Sequence, residues 1–261
     1  KISFDQGNSG AINLDNLVLY ANQYSDSLGN VISSDVNGDT ITLTIDNGDN
    51  PGDDILVLKV CEDNIIMVNY RPNGIEPSDD TPILDPNKTW DPVGATIDTS
   101  GDPIVITTGK MRIEISKNPC RLTAKKPDGT ILFWEPSSGG VYYNGIRFVR
   151  NSGHNLYGIR SYDFLEGSGD MLRNDTAHQI HAGYQGDGGA PLIWSTSGYG
   201  ILFDTDGGYA YTDSISNKME MYYGNFEKRR YNKIDVEYYI IFGDPKEIMN
   251  GVSEISGKAP M

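Results

Sequence analysis

The stretch Asp39–Asp46 reads DTITLTID. Ile41, Leu43 and Ile45 alternate with Thr40, Thr42 and Thr44, a period of two that suits a strand with one apolar and one wet face. A helix would scatter those side chains around its axis. The pattern recurs along the chain between short turn signals. Asp54–Cys61 and Asn64–Arg71 predict a hairpin around Glu62-Asp63, with Ile55/Val57 and Ile66/Val68 continuing the alternation. Ile104–Thr107 and Lys110–Ser116 predict a second, turned by Thr108-Gly109. Arg121–Lys126 and Thr130–Trp134 flank Pro127-Asp128-Gly129, and Tyr142-Tyr143 and Ile146–Val149 flank Asn144-Gly145, both favoured turn sequences. Further strands are expected at 11–20, followed by a polar turn region, at Ala95–Asp98 within the long connection Pro72–Pro103, and at Tyr209–Asp213, Met219–Tyr223 and Asp235–Phe242.

Only one segment carries a helical signature. Asp244 is placed to cap, Pro245 suits the first helical position, and Glu247 completes a capping box. Ile248, Val252 and Ile255 share one face, and Gly257 terminates. Strands do not alternate with helices, which argues against a parallel α/β sheet. The expectation is an all-β fold: a large antiparallel β-sandwich with a short C-terminal helix.

With 261 residues the chain is long enough for one large β domain with a full core. A formal net charge of -15 disfavours a nucleic-acid partner. No apolar run reaches membrane-spanning length, so no membrane partner is expected. The 30 Gly and 13 Pro suit many turns, and the 16 Tyr offer flat apolar rings with a polar edge, as sugar binding requires. Cys61 and Cys120 match no metal spacing and read as two buried thiols. The chain begins at Lys1, which fits a removed leader; a secreted protein is expected ahead of a cytoplasmic one.

Between Leu156–Arg160 and the strand pair Leu192–Ser195 and Tyr199–Phe203 runs a polar, glycine-rich excursion, about Ser161 to Pro191. A loop longer than roughly 12–15 residues is usually functional or disordered. Its aromatics, Leu172 and Ile180 predict packing. Several features here resemble one family: Leu156-Tyr157-Gly158, Asn174-Asp175, Pro191, and Ser195-Thr196-Ser197-Gly198-Tyr199-Gly200. A second match closes the chain: Val236–Phe242, Gly243-Asp244-Pro245, a helix, then Ser256-Gly257-Lys258-Ala259-Pro260-Met261. In this order they resemble the N-terminal, galactose-mutarotase-like domain of glycoside hydrolase family 31, which includes α-glucosidases, α-xylosidases and α-glucosyltransferases. One departure is Arg160-Ser161, where that family often has Glu.

The resemblance implies a sandwich over residues 1–243, and a helix and linker over 244–261 leading toward a catalytic (β/α)8 barrel outside this chain. It implies a retaining enzyme, a glycoside hydrolase of the α-glucosidase type or an α-glucosyltransferase, acting on α-linked glucose-containing oligosaccharides, with the barrel as the sandwich's own partner. The family's two catalytic Asp residues lie in the barrel, so no catalytic residue is expected in this chain. It further implies that Asp175, with Asn174 and Thr176 beside it, binds sugar hydroxyls; the residues alone equally allow an Asx-turn. Trp90, in a loop, is a second candidate for sugar contact, whereas Trp134 and Trp194 read as core. No cofactor is expected. The acidic loop Asp46–Asp54 offers carboxylates that suit calcium, and His178 and His181 are spaced as a zinc pair can be, but neither has a full ligand pattern, so no metal is expected. Two alternatives stay open: a stand-alone carbohydrate-binding module, and a mutarotase-like epimerase using His178 or His181 with Glu166. Asn87-Lys88-Thr89 and Asn174-Asp175-Thr176 are also glycosylation sequons.

Overall fold

A computed structural model describes residues 27–48, 52–77, 81, 83–85, 87–160, 176–181, 189–205, 207–213, 215–223 and 234–257. Four strands open the described chain: β1 (Val31–Asn37), β2 (Thr40–Ile45), β3 (Asp54–Glu62) and β4 (Ile65–Arg71). Seven short ones follow: β5 (Thr96–Asp98), β6 (Ile104–Thr107), β7 (Arg112–Lys117), β8 (Cys120–Lys125), β9 (Ile131–Trp134), β10 (Gly140–Tyr142) and β11 (Gly145–Arg150). The remainder comprises β12 (Leu156–Arg160), β13 (Thr176–His181), β14 (Gly189–Ser195), β15 (Tyr199–Phe203), β16 (Gly207–Thr212), β17 (Lys218–Tyr223), β18 (Val236–Phe242) and the helix α1 (Pro245–Ser256).

Two antiparallel sheets result. The eight-stranded sheet has the order β1-β2-β3-β4-β18-β15-β14-β12. The ten-stranded sheet runs β13-β16-β17-β11-β9-β8-β7-β6-β5, with β10 added to β11. The alternation in β2 does what its period demands: Ile41, Leu43 and Ile45 are fully buried and the threonines between them half-exposed. They join one core with Ile66, Val68, Ile201 and Ile240 of the same sheet and Ile106, Ile113, Phe148 and Met221 of the other. This is the antiparallel sandwich expected from the sequence.

A second, smaller core lies outside the eight-stranded sheet, under α1. Cys61, Ile65, Leu192, Leu202, Tyr239 and Ile241 meet Ile248 and Ile255 of the helix there. Strand β18 is therefore apolar on both faces, with Tyr238, Ile240 and Phe242 turned inward and Tyr239 and Ile241 toward the helix. Each fully buried side chain of this kind contributes roughly 1.5–3 kcal/mol. The helix begins where the sequence places it. Asp244 accepts from the Glu247 backbone N–H at 2.9 Å, and Glu247 accepts from the Asp244 N–H at 3.1 Å.

Two glycines let the helix approach. A Cβ on Gly200 of β15 would lie 2.7 Å from Ile248 Cγ2, and one on Gly251 of α1 would lie 2.6 Å from Ile241 Cγ2. The S-x-x-G-Y-G segment thus has a physical reading: Gly198 turns the chain at φ +107°, Tyr199 enters the core, and Gly200 makes room for the helix. Gly158 adopts φ +110°, and a Cβ there would lie 2.2 Å from the Leu192 carbonyl oxygen, beside a register shift between β12 and β14.

Four local expectations change. The region read as a polar turn before Asp39 holds β1, a largely exposed edge strand that bonding to β2 keeps extended. The β10–β11 turn falls on Tyr143-Asn144, because Gly145 is already paired with Tyr222. The excursion before Pro191 is not one loop: β13 pairs with β16 along its full length, and β14 starts at Gly189. His178 and His181 accordingly sit in a strand. The strand expected at 11–20 lies outside the described residues. Cys61 and Cys120 are both free and buried, with the Cys61 thiol pushed up to about 12 mainly by burial.

Replacing Gly251 by Ala tests the helix contact. Alanine favours a helix by about 1 kcal/mol over glycine, but overpacking a core costs about 1–3 kcal/mol. Ile241 is β-branched and held in a central strand, so the contact term should win. The expected outcome is a melting temperature lower by about 2–4 °C in thermal denaturation; a rise would show that Ile241 has room to yield.

Candidate functional site

Strand β13 is the edge of the ten-stranded sheet, and its first residue, Thr176, pairs with Thr212 of β16. Thr176 is the one member of the Asn174-Asp175-Thr176 candidate that falls within the described residues; Asn174 and Asp175 lie outside them. The neighbouring strands carry the side chains of interest. Alternation buries Ala210 and Thr212 of β16 and exposes Tyr209 and Tyr211, by 40% and 46%. In β17 it buries Met219, Met221 and Tyr223, leaving Glu220 and Tyr222 half-exposed.

Register assembles these residues into two rows. Tyr209 pairs with Tyr222, which pairs with Gly145; Tyr211 pairs with Glu220, which pairs with Arg147. The Tyr209 and Tyr222 rings stack with centroids 5.3 Å apart. Glu220 is held by two donors on one oxygen: the Tyr142 hydroxyl at 2.6 Å and Arg147 Nε at 2.9 Å. The Arg147 guanidinium also lies 3.9 Å above the centre of the Tyr142 ring. Burial first, and the Glu220 carboxylate second, push the Tyr142 phenol far above its ordinary value, so it remains a donor.

Arg147, Phe148, Tyr211, Met219 and Glu220 line a cleft of about 150 Å³, and Pro136, Ser138 and Gly139 close one side. That wall is pinned from within. Arg121 donates to the carbonyls of Pro136 and Ser137, and Glu135 accepts from the Leu122 N–H at 2.8 Å. Glu135 is buried, which pushes its carboxyl up to about 7 against the opposing pull of the Leu122 N–H and Arg121. A separate groove of about 410 Å³ runs beside the start of α1, between Lys110, Lys126, Gly198 and Asp244.

Trp90 is not brought to this face. It is half-buried in the second core under α1, with Lys88 Nζ 4.2 Å from its ring centre, and Lys88 in turn pairs with Glu254 of the helix. Trp194 packs in the same core and stacks on Tyr157 at 4.7 Å. In the acidic loop, Asp46 accepts from the Gly48 N–H, while Asp54 accepts from the Tyr70 hydroxyl and the Asn73 N–H. Among the described residues no cluster of three or more His, Cys, Asp or Glu forms a metal-binding group. Among the described residues no helix is long and apolar enough to cross a membrane. Sequence reasoning noted the tyrosines but not their grouping. The signal was present in the alternation of Tyr209-Ala210-Tyr211, but the pairing with Glu220 and Arg147 comes from strands far apart in the chain.

No family model matches the chain. Over 243 residues, 92% of its length, it is 59% identical to a 1,6-alpha-glucosyltransferase of Sporosarcina globispora. Its fold matches a glycoside hydrolase family 31 dextranase of Flavobacterium johnsoniae, solved with isomaltotriose, with a TM-score of 0.70 at 21% identity, covering 90% of this chain and 29% of that one. It also matches the cycloalternan-forming enzyme of Listeria monocytogenes, solved with a pentasaccharide substrate, with a TM-score of 0.72 at 21% identity, covering 90% and 23%. The chain has the sandwich fold found in family 31 enzymes, as the sequence resemblance implied. Its similarity in sequence runs to the glucosyltransferase. It spans about a fifth of the length of that relative, 19%.

Glu135 supplies a pH test of the pinned wall. Its folded value of about 7 exceeds the ordinary value of 4.5, so the folded state binds the extra proton. Its contribution to stability is complete below about 4.5 and is lost as pH rises through about 7. Thermal denaturation of Glu135→Gln should therefore show a smaller fall in melting temperature between those limits than the wild type. An equal fall in both proteins would place the titration elsewhere.

Proposed function

We propose that this chain is a β-sandwich domain, residues 1–243 with a helix and linker over 244–261, of an α-glucan-active enzyme of the family 31 type. Its tasks are to buttress a catalytic (β/α)8 barrel and to lend the segment around Asp175 to the sugar pocket. The observation that carries this reading is the 59% identity over 243 residues to a 1,6-alpha-glucosyltransferase, in a chain with the matching sandwich fold. Of the activities the resemblance leaves open, that relative favours α-1,6-glucosyl transfer over α-glucosidase hydrolysis. The two reactions share a covalent glycosyl-enzyme intermediate and differ in whether a sugar hydroxyl or water accepts the glycosyl group.

Sequencing the gene beyond codon 261 is the first test. A continuing frame with strand–helix repeats and two suitably placed Asp residues supports the reading; an immediate stop codon overturns it. In the full-length enzyme, Asp175→Ala should then lower kcat/KM for α-glucan substrates by at least about tenfold, because a charged acceptor lost from a sugar hydroxyl pair is worth ~1.5–3 kcal/mol. Unchanged steady-state kinetics would remove Asp175 from the pocket.

A further inference from the structure

The outer face of the ten-stranded sheet places large aromatic rings at exposed positions where most strands place polar side chains. Tyr209 and Tyr211 stand two residues apart on one strand, about 6.8 Å along it, comparable to the span of one hexose unit. Tyr222 stacks against Tyr209 and extends the flat surface across the neighbouring strand. The cleft beside Tyr211 holds about 150 Å³, room for one small ring and below the usual volume of a drug-sized pocket.

Lys218 is exposed at the cleft's edge, whereas the carboxylate inside it is fixed before any ligand arrives. Tyr142 and Arg147 both bind Oε1 of Glu220, which orients the carboxylate with its other oxygen as an acceptor. A carboxylate so placed accepts strongly from hydroxyls, while a tyrosine ring packs against the apolar C–H face of a pyranose. The net charge of -15 opposes an anionic polymer and leaves a neutral one uncompromised.

We propose that Tyr209, Tyr211 and Tyr222, with Glu220 and Arg147 at the cleft, form a binding site for a neutral α-glucan. One glucosyl unit sits at Tyr211 and Glu220, and the chain continues over the Tyr209–Tyr222 stack. The pyranose chemistry comes from the site itself. The α-glucan class rests on the function proposed above.

The test is electrophoresis of the 261-residue chain through native gels with and without dextran, followed by titration with isomaltotriose under NMR observation. Retardation of the wild type, with an apparent Kd at least about tenfold weaker in Tyr211→Ala and weakened also in Glu220→Gln, is the expected result. Tyr211 is exposed, so its truncation leaves the core intact; equal melting temperatures confirm this, and Tyr209→Ala provides an independent second variant. Three results overturn the proposal: no retardation and no NMR shifts in the wild type, equal retardation of wild type and variants, or a dimer in sedimentation velocity that Tyr211→Ala dissolves without any dextran binding. Retardation by β-glucan or xylan but not dextran overturns the ligand class alone. Failure of the full-length enzyme to transfer glucosyl groups refutes the function proposed above, while the dextran result stands by itself.

Discussion

Strand β18 has to bury two apolar faces, and the remaining architecture accommodates that demand. Its inward residues Tyr238, Ile240 and Phe242 require a second sheet opposite, while Tyr239 and Ile241 require a cover on the other side. The helix α1 follows directly after Gly243 and supplies that cover. A two-layer sandwich thereby becomes locally three layers thick. The strand pairs with β4 on one flank and β15 on the other, so the chain's early and late halves meet along it. Removing either cover would leave large apolar side chains in water at roughly 25 cal/mol per Å².

Close packing of this kind explains glycines both in the family-like motifs and in the helix. Gly158, Gly200 and Gly251 all occur where a Cβ would penetrate a neighbouring backbone or side chain. These glycines are thus marks of the scaffold.

The side chains of the candidate site gather on the opposite sheet. There the core-facing positions of β11, β16 and β17 are filled by Ile146, Phe148, Ala210, Met219 and Met221, and the alternate positions carry tyrosines and a charged pair. The Arg147–Glu220 pair is half-exposed, so its Coulombic contribution to stability is small. Its effect is orientational, because Tyr142 and Arg147, from two other strands, converge on the Glu220 carboxylate. Arg121 and Glu135 perform the complementary task from inside, holding the 135–139 segment against the cleft.

Much of the fold was legible in the sequence. The alternation of DTITLTID, the turn sequences between strands and the Asp244–Glu247 capping box are local signals whose physics acts within a few residues, and they located β2, the hairpins and α1. Edge strand β1 was less legible because a polar strand bonded on one side has no apolar period to betray it. Strand β13 was hidden by the glycines and polar residues around it. Trp90 looked like an exposed loop aromatic because nothing nearby in sequence shows the helix that covers it. What the sequence determined by itself was the class of fold, since period-two burial and turn chemistry are properties of single segments. Which tyrosines share a face, what fixes Glu220, and where Trp90 is buried were decided only by the tertiary structure. Those contacts join residues far apart in the chain, 78 positions for Tyr142 and Glu220 and 166 for Lys88 and Glu254, and only the tertiary fold brings them within hydrogen-bond reach.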